Sequence, residues 1–338
     1  MKVPTIVSLF VIISYSCSNQ NDQSKELLDD IFSSTYEHSI ISQGDNLPDF
    51  DRRKDNIDLF LVSVQENVDL ADFQERVGWS DQYTQEKIEF LISKGWLIKD
   101  RKGLRPSVFI ASDEQGRELF RQGQSLARKI AGSIEEEIPS IKAKFEAAIL
   151  PEDHSFESMS FLILSNVLLD NWQIMEMEAS YLKKANRPER HGKFYYASIM
   201  ENVNTAKESF GIYGNQYGKV NDSTYLSIYG NNRDVVNVKL RSDQNFRDSI
   251  LQVALFLTPD HYNLFEELVA DYRPKLLQIL EEETEFSQQV YERTGYAEKI
   301  AFEEFFIWWY HFIYTEATNM LAEKNLLTIP EEGNYYYR

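Results

Sequence analysis

Glu304, Trp308, His311 and Thr315 fall at i, i+4, i+7 and i+11 within FEEFFIWWYHFIYTEAT, so a helix would carry all four on one face. A buried imidazole beside a carboxylate can hold a metal ion or pass a proton. The other residues such chemistry needs are missing from the sequence. There is no His-Glu-x-x-His, and no second Glu-x-x-His of the kind a di-iron bundle uses. His38, His154, His191 and His261 each stand alone in the chain. A core histidine bonded to Glu304 or Thr315 explains the pattern with fewer assumptions, and no metal, cofactor or catalytic residue is expected. Asp260, His261, Glu266 and Glu267 make a weaker cluster, in which Asp260 reads as charge at a helix start. Gly-x-Ser-x-Gly, phosphate-loop and dinucleotide fingerprints do not occur.

A second group is basic. Lys99, Arg101, Lys102 and Arg105 surround Asp100 and Gly103. On a hairpin tip they could grip phosphate. The neighbouring charge opposes that use. Tyr83 to Lys94, expected as a helix, sets Glu86 and Glu89 against Lys87 and Lys94, and residues 57–130 hold twelve acids against eleven bases. A DNA reader presents a strongly basic face. The formal net charge of the chain, −19, repels nucleic acid and anionic membrane surfaces alike. The tip is expected to be solvated, or to touch a protein partner whose identity the sequence does not give.

Cys17 is the only cysteine, so no intrachain disulfide forms, and its setting activates no nucleophile. It closes a short apolar run, Val3 to Ser16 (VPTIVSLFVIISYS), behind Lys2. The run is shorter than the ~20 apolar residues of a membrane-spanning helix. A basic tip, an apolar stretch and small residues before a cut site describe a secretory signal peptide. Ending on Ser16-Cys17, the segment resembles the signal of a bacterial lipoprotein. The resemblance implies removal of residues 1–16, acylation of Cys17 and anchoring on a membrane of the cell envelope. Loss of Lys2 would bring the mature charge to −20. The polar stretch Ser18 to Asp30 suits a flexible tether, expected over residues 17–55.

The elements that must position these groups begin near Ile57. IDLFLVSVQENV reads as one amphipathic segment. LADFQERV follows, with Leu70, Phe73 and Val77 at helical spacing and Gly78 beyond. Ser80 or Asp81 can cap a helix over YTQEKIEFLISK, ended by Gly95. WLIKD and PSVFIA read as the two strands of a hairpin over residues 96–111. Ser112 and Gln115 then make a cap pattern for another helix. Ile88-Glu89-Phe90-Leu91-Ile92-Ser93-Lys94-Gly95-Trp96-Leu97-Ile98 and Ser112-Asp113-Glu114-Gln115-Gly116-Arg117-Glu118-Leu119 resemble the recognition-helix end and the post-wing restart of winged helix-turn-helix domains of multiple-antibiotic-resistance-type regulators. The resemblance covers residues 57–134 and implies that fold there.

Residues 135–338 are expected to form an α+β domain. Residues 135–185 read as helix, and SFESMSFLILSNVLLDNWQIMEMEASYL is apolar enough to be buried. Residues 192–242 change to short Tyr-, Ile- and Val-rich runs, with Gly230-Asn231-Asn232 as a hairpin turn, and predict an antiparallel meander of three or four strands. Helices return, ending in an aromatic helix over about residues 297–324. FFIWWYHFIY, flanked by Glu303, Glu304 and Glu316, reads as a buried helix, and IPEEGNYYYR as a surface tail. The expected class is α+β, mainly α. The expected function is non-catalytic: a lipid-anchored envelope protein that binds another protein through its winged-helix domain. The alternatives are a cytoplasmic DNA-binding regulator and an enzyme or metal site around His311.

Overall fold

The structure, a computed structural model, describes residues 23–148, 150, 154–184, 186–201, 213–219, 225–230, 254–330 and 334–337, with isolated positions between 245 and 252. The fold is α+β and mainly α. Contacts divide the chain into two compact units, Met1–Ser112 with Pro188–Asn202, and Asp113–Arg187 with Val203–Arg338.

The first unit opens with helix α1 (residues 23–33) and strand β1 (Tyr36–Ser42). Three helices follow: α2 (Ile57–Gln65), α3 (Leu70–Val77) and α4 (Asp81–Ser93). Asp69 caps α3 by accepting the Ala71 N–H, and Ser80 caps α4 by accepting the Tyr83 N–H. Between them the chain turns over three residues, with Gly78 at φ 71, a left-handed value that favours glycine. Strands β2 (Leu97–Asp100) and β3 (Gly103–Pro106) form an antiparallel hairpin. A second sheet runs β1, β6 (Lys193–Glu201), β4 (Phe109–Ala111), with β5 (Glu189–Arg190) also paired to β6. Phe60, Phe73, Leu91, Trp96 and Tyr195 fill the core, where the Trp96 indole donates to the Tyr195 hydroxyl at 2.8 Å.

Three expectations for this part are corrected. The tether does not run to residue 55. Leu28 and Ile31 of α1 lie in the core, and Tyr36, Ile40 and Phe50 pack on it. Leu27, Leu28, Ile31 and Phe32 make an apolar stripe at helical spacing that the polar composition masks. The hairpin is shorter than residues 96–111. Its second strand is β3, while Phe109, Ile110 and Ala111 are all buried and run parallel to β6. A half-exposed wing strand would alternate; three successive buried residues need cover on both faces. Finally, β6 belongs to this sheet and not to a meander over 192–242. Tyr195 to Met200 are all buried, so the strand is covered on both sides.

The second unit is built on α5 (Asp113–Ala147), one continuous helix through Pro139. Its compact unit therefore begins at Asp113, inside the expected 57–134 boundary. The closing helix α9 (Phe302–Glu323) lies against α5, and its aromatic segment is buried. Gly123 permits the approach: a Cβ there would stand 3.0 Å from Ile313 Cγ1. The Trp309 indole donates to the Leu119 carbonyl at 2.9 Å. Helices α6 (Phe156–Phe161), α7 (Pro259–Glu282) and α8 (Thr284–Arg293) complete the layer, and Leu162–Val167 and Met177–Tyr181 are π-helical.

A small sheet orders β7 (Asn215–Lys219), β8 (Tyr225–Tyr229), β10 (Asn334–Tyr337) and β9 (Leu255–Phe256). Of the expected meander, β7 and β8 are an antiparallel pair. The runs at residues 202–212 and 231–244, with the turn at Asn231-Asn232, lie outside the described residues. Within the expected tail, Asn334–Tyr337 forms a strand that pairs with both β8 and β9. Its three tyrosines are good strand formers. No helix among the described residues is long and apolar enough to cross a membrane.

Candidate functional site

The exposed surface of α4 and the β2–β3 hairpin brings the basic residues of the first unit together with its acids. Outward positions of α4 are Gln82, Gln85, Glu86, Glu89, Ile92 and Ser93. Gln82 donates to Glu86 at 3.0 Å and Gln85 to Glu89 at 2.8 Å, so amide–carboxylate pairs one turn apart line the helix. Lys87 of α4 and Lys94 at its C-cap are both tied back. Lys87 meets Asp55 at 2.6 Å and lies over the Tyr83 ring; Lys94 meets Asp49 at 2.7 Å and lies over Phe90. The bond from Lys94 holds the Asp49 carboxyl below its ordinary range, and the bond from Lys87 does the same for Asp55.

At the tip, Asp100 organises the turn. It accepts the Lys102 N–H at 2.8 Å and pairs with Arg105. Lys99, Arg101 and Lys102 remain exposed on the tip. Helix α4 thus shows carboxylates to solvent, and three of the nearby cations are ion-paired within the unit. Cys17 lies outside the described residues.

Behind this surface are two buried polar groups that sequence reasoning missed. His38 Nε2 lies 3.1 Å from Asp58 Oδ2, and burial lowers the imidazole's proton affinity against the pull of Asp58. Arg190, 4% exposed, donates to the Tyr195 and Ser107 carbonyls at 2.5 and 2.7 Å, with its guanidinium over the Tyr195 ring. No spacing rule links positions 38 and 58, or 107 and 190: His38 stands on β1 and Asp58 on α2, and Ser107 lies in the turn between β3 and β4, so only the tertiary fold brings them together.

In the second unit, His311 is 4% exposed. Its Nδ1 lies 2.7 Å from the Ile307 carbonyl, so this nitrogen donates, and Nε2 faces Asp170 Oδ1 at 3.8 Å. Thr315 is therefore not its partner, which corrects that half of the expectation. Thr315 Oγ1 instead accepts the Tyr213 N–H at 2.9 Å, and Glu304 is buried on the same helix.

Asp170 joins a buried network. Its Oδ2 accepts from Asn215 at 3.3 Å, and Asn215 and Asn166 exchange amide bonds at 2.9 and 3.2 Å. Ser227 donates to Asn215 at 2.9 Å, while Ser165 bonds to Tyr229 and, at 2.8 Å, to Thr318. Ser165 and Asn166 are consecutive, and the wide π-helical turn at Leu162–Val167 puts both into buried contacts. Burial pushes the Tyr213 phenol up to about 12 and the Tyr310 phenol well above its ordinary value. The sequence signal for this network was weak: the polar trio Ser165, Asn166 and Asp170 interrupts an otherwise apolar helix.

The remaining constellation resolves into a helix cap. His261 is fully buried at the start of α7 and meets His154, while Glu267 pairs with Lys144. A cleft of about 420 Å³ lies beside Glu118, Gln122, Arg293 and Tyr296, where Glu118 and Arg293 are engaged by Gln122. Among the described residues no three His, Cys, Asp or Glu side chains converge as a metal site would need. Neither a family model, nor a curated protein, nor a solved structure matches this chain.

Proposed function

We propose that the chain is a cell-envelope lipoprotein, acylated at Cys17, whose first unit is a winged helix-turn-helix module that contacts a protein partner. The α3–α4 pair with its three-residue turn, followed by the β2–β3 hairpin, supports the winged-helix reading. The observation that carries the choice of partner is the ion pairing of Lys87 to Asp55, Lys94 to Asp49 and Arg105 to Asp100. Non-specific DNA affinity comes from cations that neutralise phosphates. Here Lys87, Lys94 and Arg105 are already neutralised, and Glu86 and Glu89 project from the helix that would enter the groove. The exposed Lys99, Arg101 and Lys102 then form a compact basic tip for a partner protein.

Two measurements test this reading. Mass spectrometry of the mature N-terminus should find acylated Cys17, and Cys17→Ala should leave the membrane fraction. An intact Met1 terminus in soluble cytoplasm defeats the lipoprotein assignment. A mobility-shift titration with duplex DNA at low salt should give no micromolar complex. A complex that weakens steeply with salt and disappears in Lys102→Glu defeats the choice of a protein partner.

A further inference from the structure

We propose that His154 and His261 form an acid-released latch on the first turn of α7. One donor in this turn has a fixed identity. The Thr258 backbone N–H points at His261 Nδ1 from 3.1 Å, and a backbone N–H can only donate. Nδ1 of His261 is therefore unprotonated, with the Thr258 hydroxyl also 2.8 Å away. A neutral imidazole then carries its hydrogen on Nε2, which lies 3.1 Å from His154 Nδ1. That nitrogen must accept, so His154 carries its own hydrogen on Nε2. The closed arrangement has room for no further proton. A proton on His261 Nδ1 would face the Thr258 N–H, and one on His154 Nδ1 would face the His261 N–H.

The same reasoning excludes a metal reading of the two nitrogens, because the one on His261 offers a hydrogen and no lone pair. His261 occupies the third helical position after the Thr258 cap, where a glutamate or glutamine side chain commonly accepts the cap N–H. An imidazole there performs the same task and adds titration. Burial lowers the proton affinity of His261, and His154 lowers it further. Asp260, on the same helix, pulls the other way. Other charges on the elements near this turn are ion-paired, Lys144 with Glu267 and Asp271, Lys142 with Glu157, and Arg273 with Glu176, while Glu266 is exposed to solvent.

The sign follows from linkage. With the Thr258 N–H on its Nδ1, His261 takes no proton in the closed turn, whereas a released imidazole titrates near 6.5. The latch is complete above about pH 6.5 and weakens as pH falls below that value. Trp172 packs on the rings of Tyr262 and Phe265, 5.2 and 5.9 Å away, so the first turns of α7 carry a fluorescent neighbour.

The test compares the full chain with His261→Gln, in which the amide oxygen can accept the Thr258 N–H and the side chain does not titrate. Hydrogen exchange of the amides of Thr258 and residues 260–265 is measured at matched pH between 7.5 and 5.5. The wild type should lose protection relative to the variant by up to about tenfold per pH unit below 6.5, with a parallel change in Trp172 emission. Equal pH responses in the two proteins would overturn the proposal. Nitrogen NMR of the wild-type histidines at pH 7.5 provides a reading that does not depend on the variant. His261 should carry its hydrogen on Nε2, and a hydrogen on Nδ1 would overturn the latch. Added zinc that tightens this turn at neutral pH would also overturn it.

Discussion

Polarity is used in opposite ways by α4 with its hairpin and by the core around His311. On α4 the charged groups are at the surface: Asp49 is half-exposed, and Glu86 and Glu89 face solvent. Their pairs cancel charge in water, where each contributes little to stability. Around His311 the polar groups are withdrawn from water and bonded to one another, with Asn166, Ser165 and Thr318 fully buried. There each lost partner strands a buried donor, acceptor or charge. The surface pattern sets what the first unit can meet, and the buried pattern sets how uniquely the second unit packs.

The sharpest way to break this comparison is at Asp170. Asp170→Ala removes the carboxylate facing His311 and one acceptor of Asn215. Removing one partner of a buried pair costs about 3–5 kcal/mol, so urea unfolding of the second unit should shift by that order. His311→Gln should fall in the same direction. The double variant Asp170→Ala/His311→Gln should be less unstable than the sum, because the two side chains act together. Independent, additive losses would show that the pair is not coupled.

Arg190 tests whether the first unit has an equivalent of that core. Its guanidinium serves two buried carbonyls and one aromatic face. Arg190→Met keeps the stem but leaves the Tyr195 and Ser107 carbonyls without this donor, at about 1–3 kcal/mol for a stranded group. A change below the error of the denaturation curve would place Arg190 with the surface pairs.

How much of this was legible follows from the range of each interaction. Helices α3 and α4 were readable because Leu70, Phe73 and Val77, and then Ile88 and Leu91, recur at helical spacing and Gly78 and Ser80 mark the ends. The aromatic helix was readable for the same reason, with α9 at Phe302–Glu323 against an expected 297–324. Strand partners were not, because β-pairing joins distant residues: His38 with Ile199, Phe109 with Ser198, Tyr335 with Ile228. A strand's own pattern gives its burial, and nothing in it names the neighbour. The candidate surface was legible in its charge count, since Glu86 and Glu89 already opposed DNA. Its ion pairs were not, as Asp49 and Asp55 come from the segment read as tether. The His311 network was half visible, because the histidine stands in its helix pattern while Asp170 lies 141 positions earlier.

The smallest expected effect comes from Lys87. Its ammonium meets Asp55 at 2.6 Å and lies 4.8 Å from the centre of the Tyr83 ring, with the two paired side chains 17% and 34% exposed. Water competes for both partners, so Lys87→Met, which keeps the aliphatic stem, should cost at most about 1 kcal/mol. The loss should shrink as salt is raised, since screening reaches exposed charges first. It should also depend on pH in one direction. The bond from Lys87 holds the Asp55 carboxyl below its ordinary range, so the pair's contribution is present above about pH 4 and disappears as acid protonates the carboxyl. Wild type and variant should therefore unfold at similar urea concentrations at pH 3 and differ slightly at pH 7. A salt-independent loss of several kcal/mol would instead make this surface pair as structural as Asp170 and His311, and the contrast between the two regions would fail.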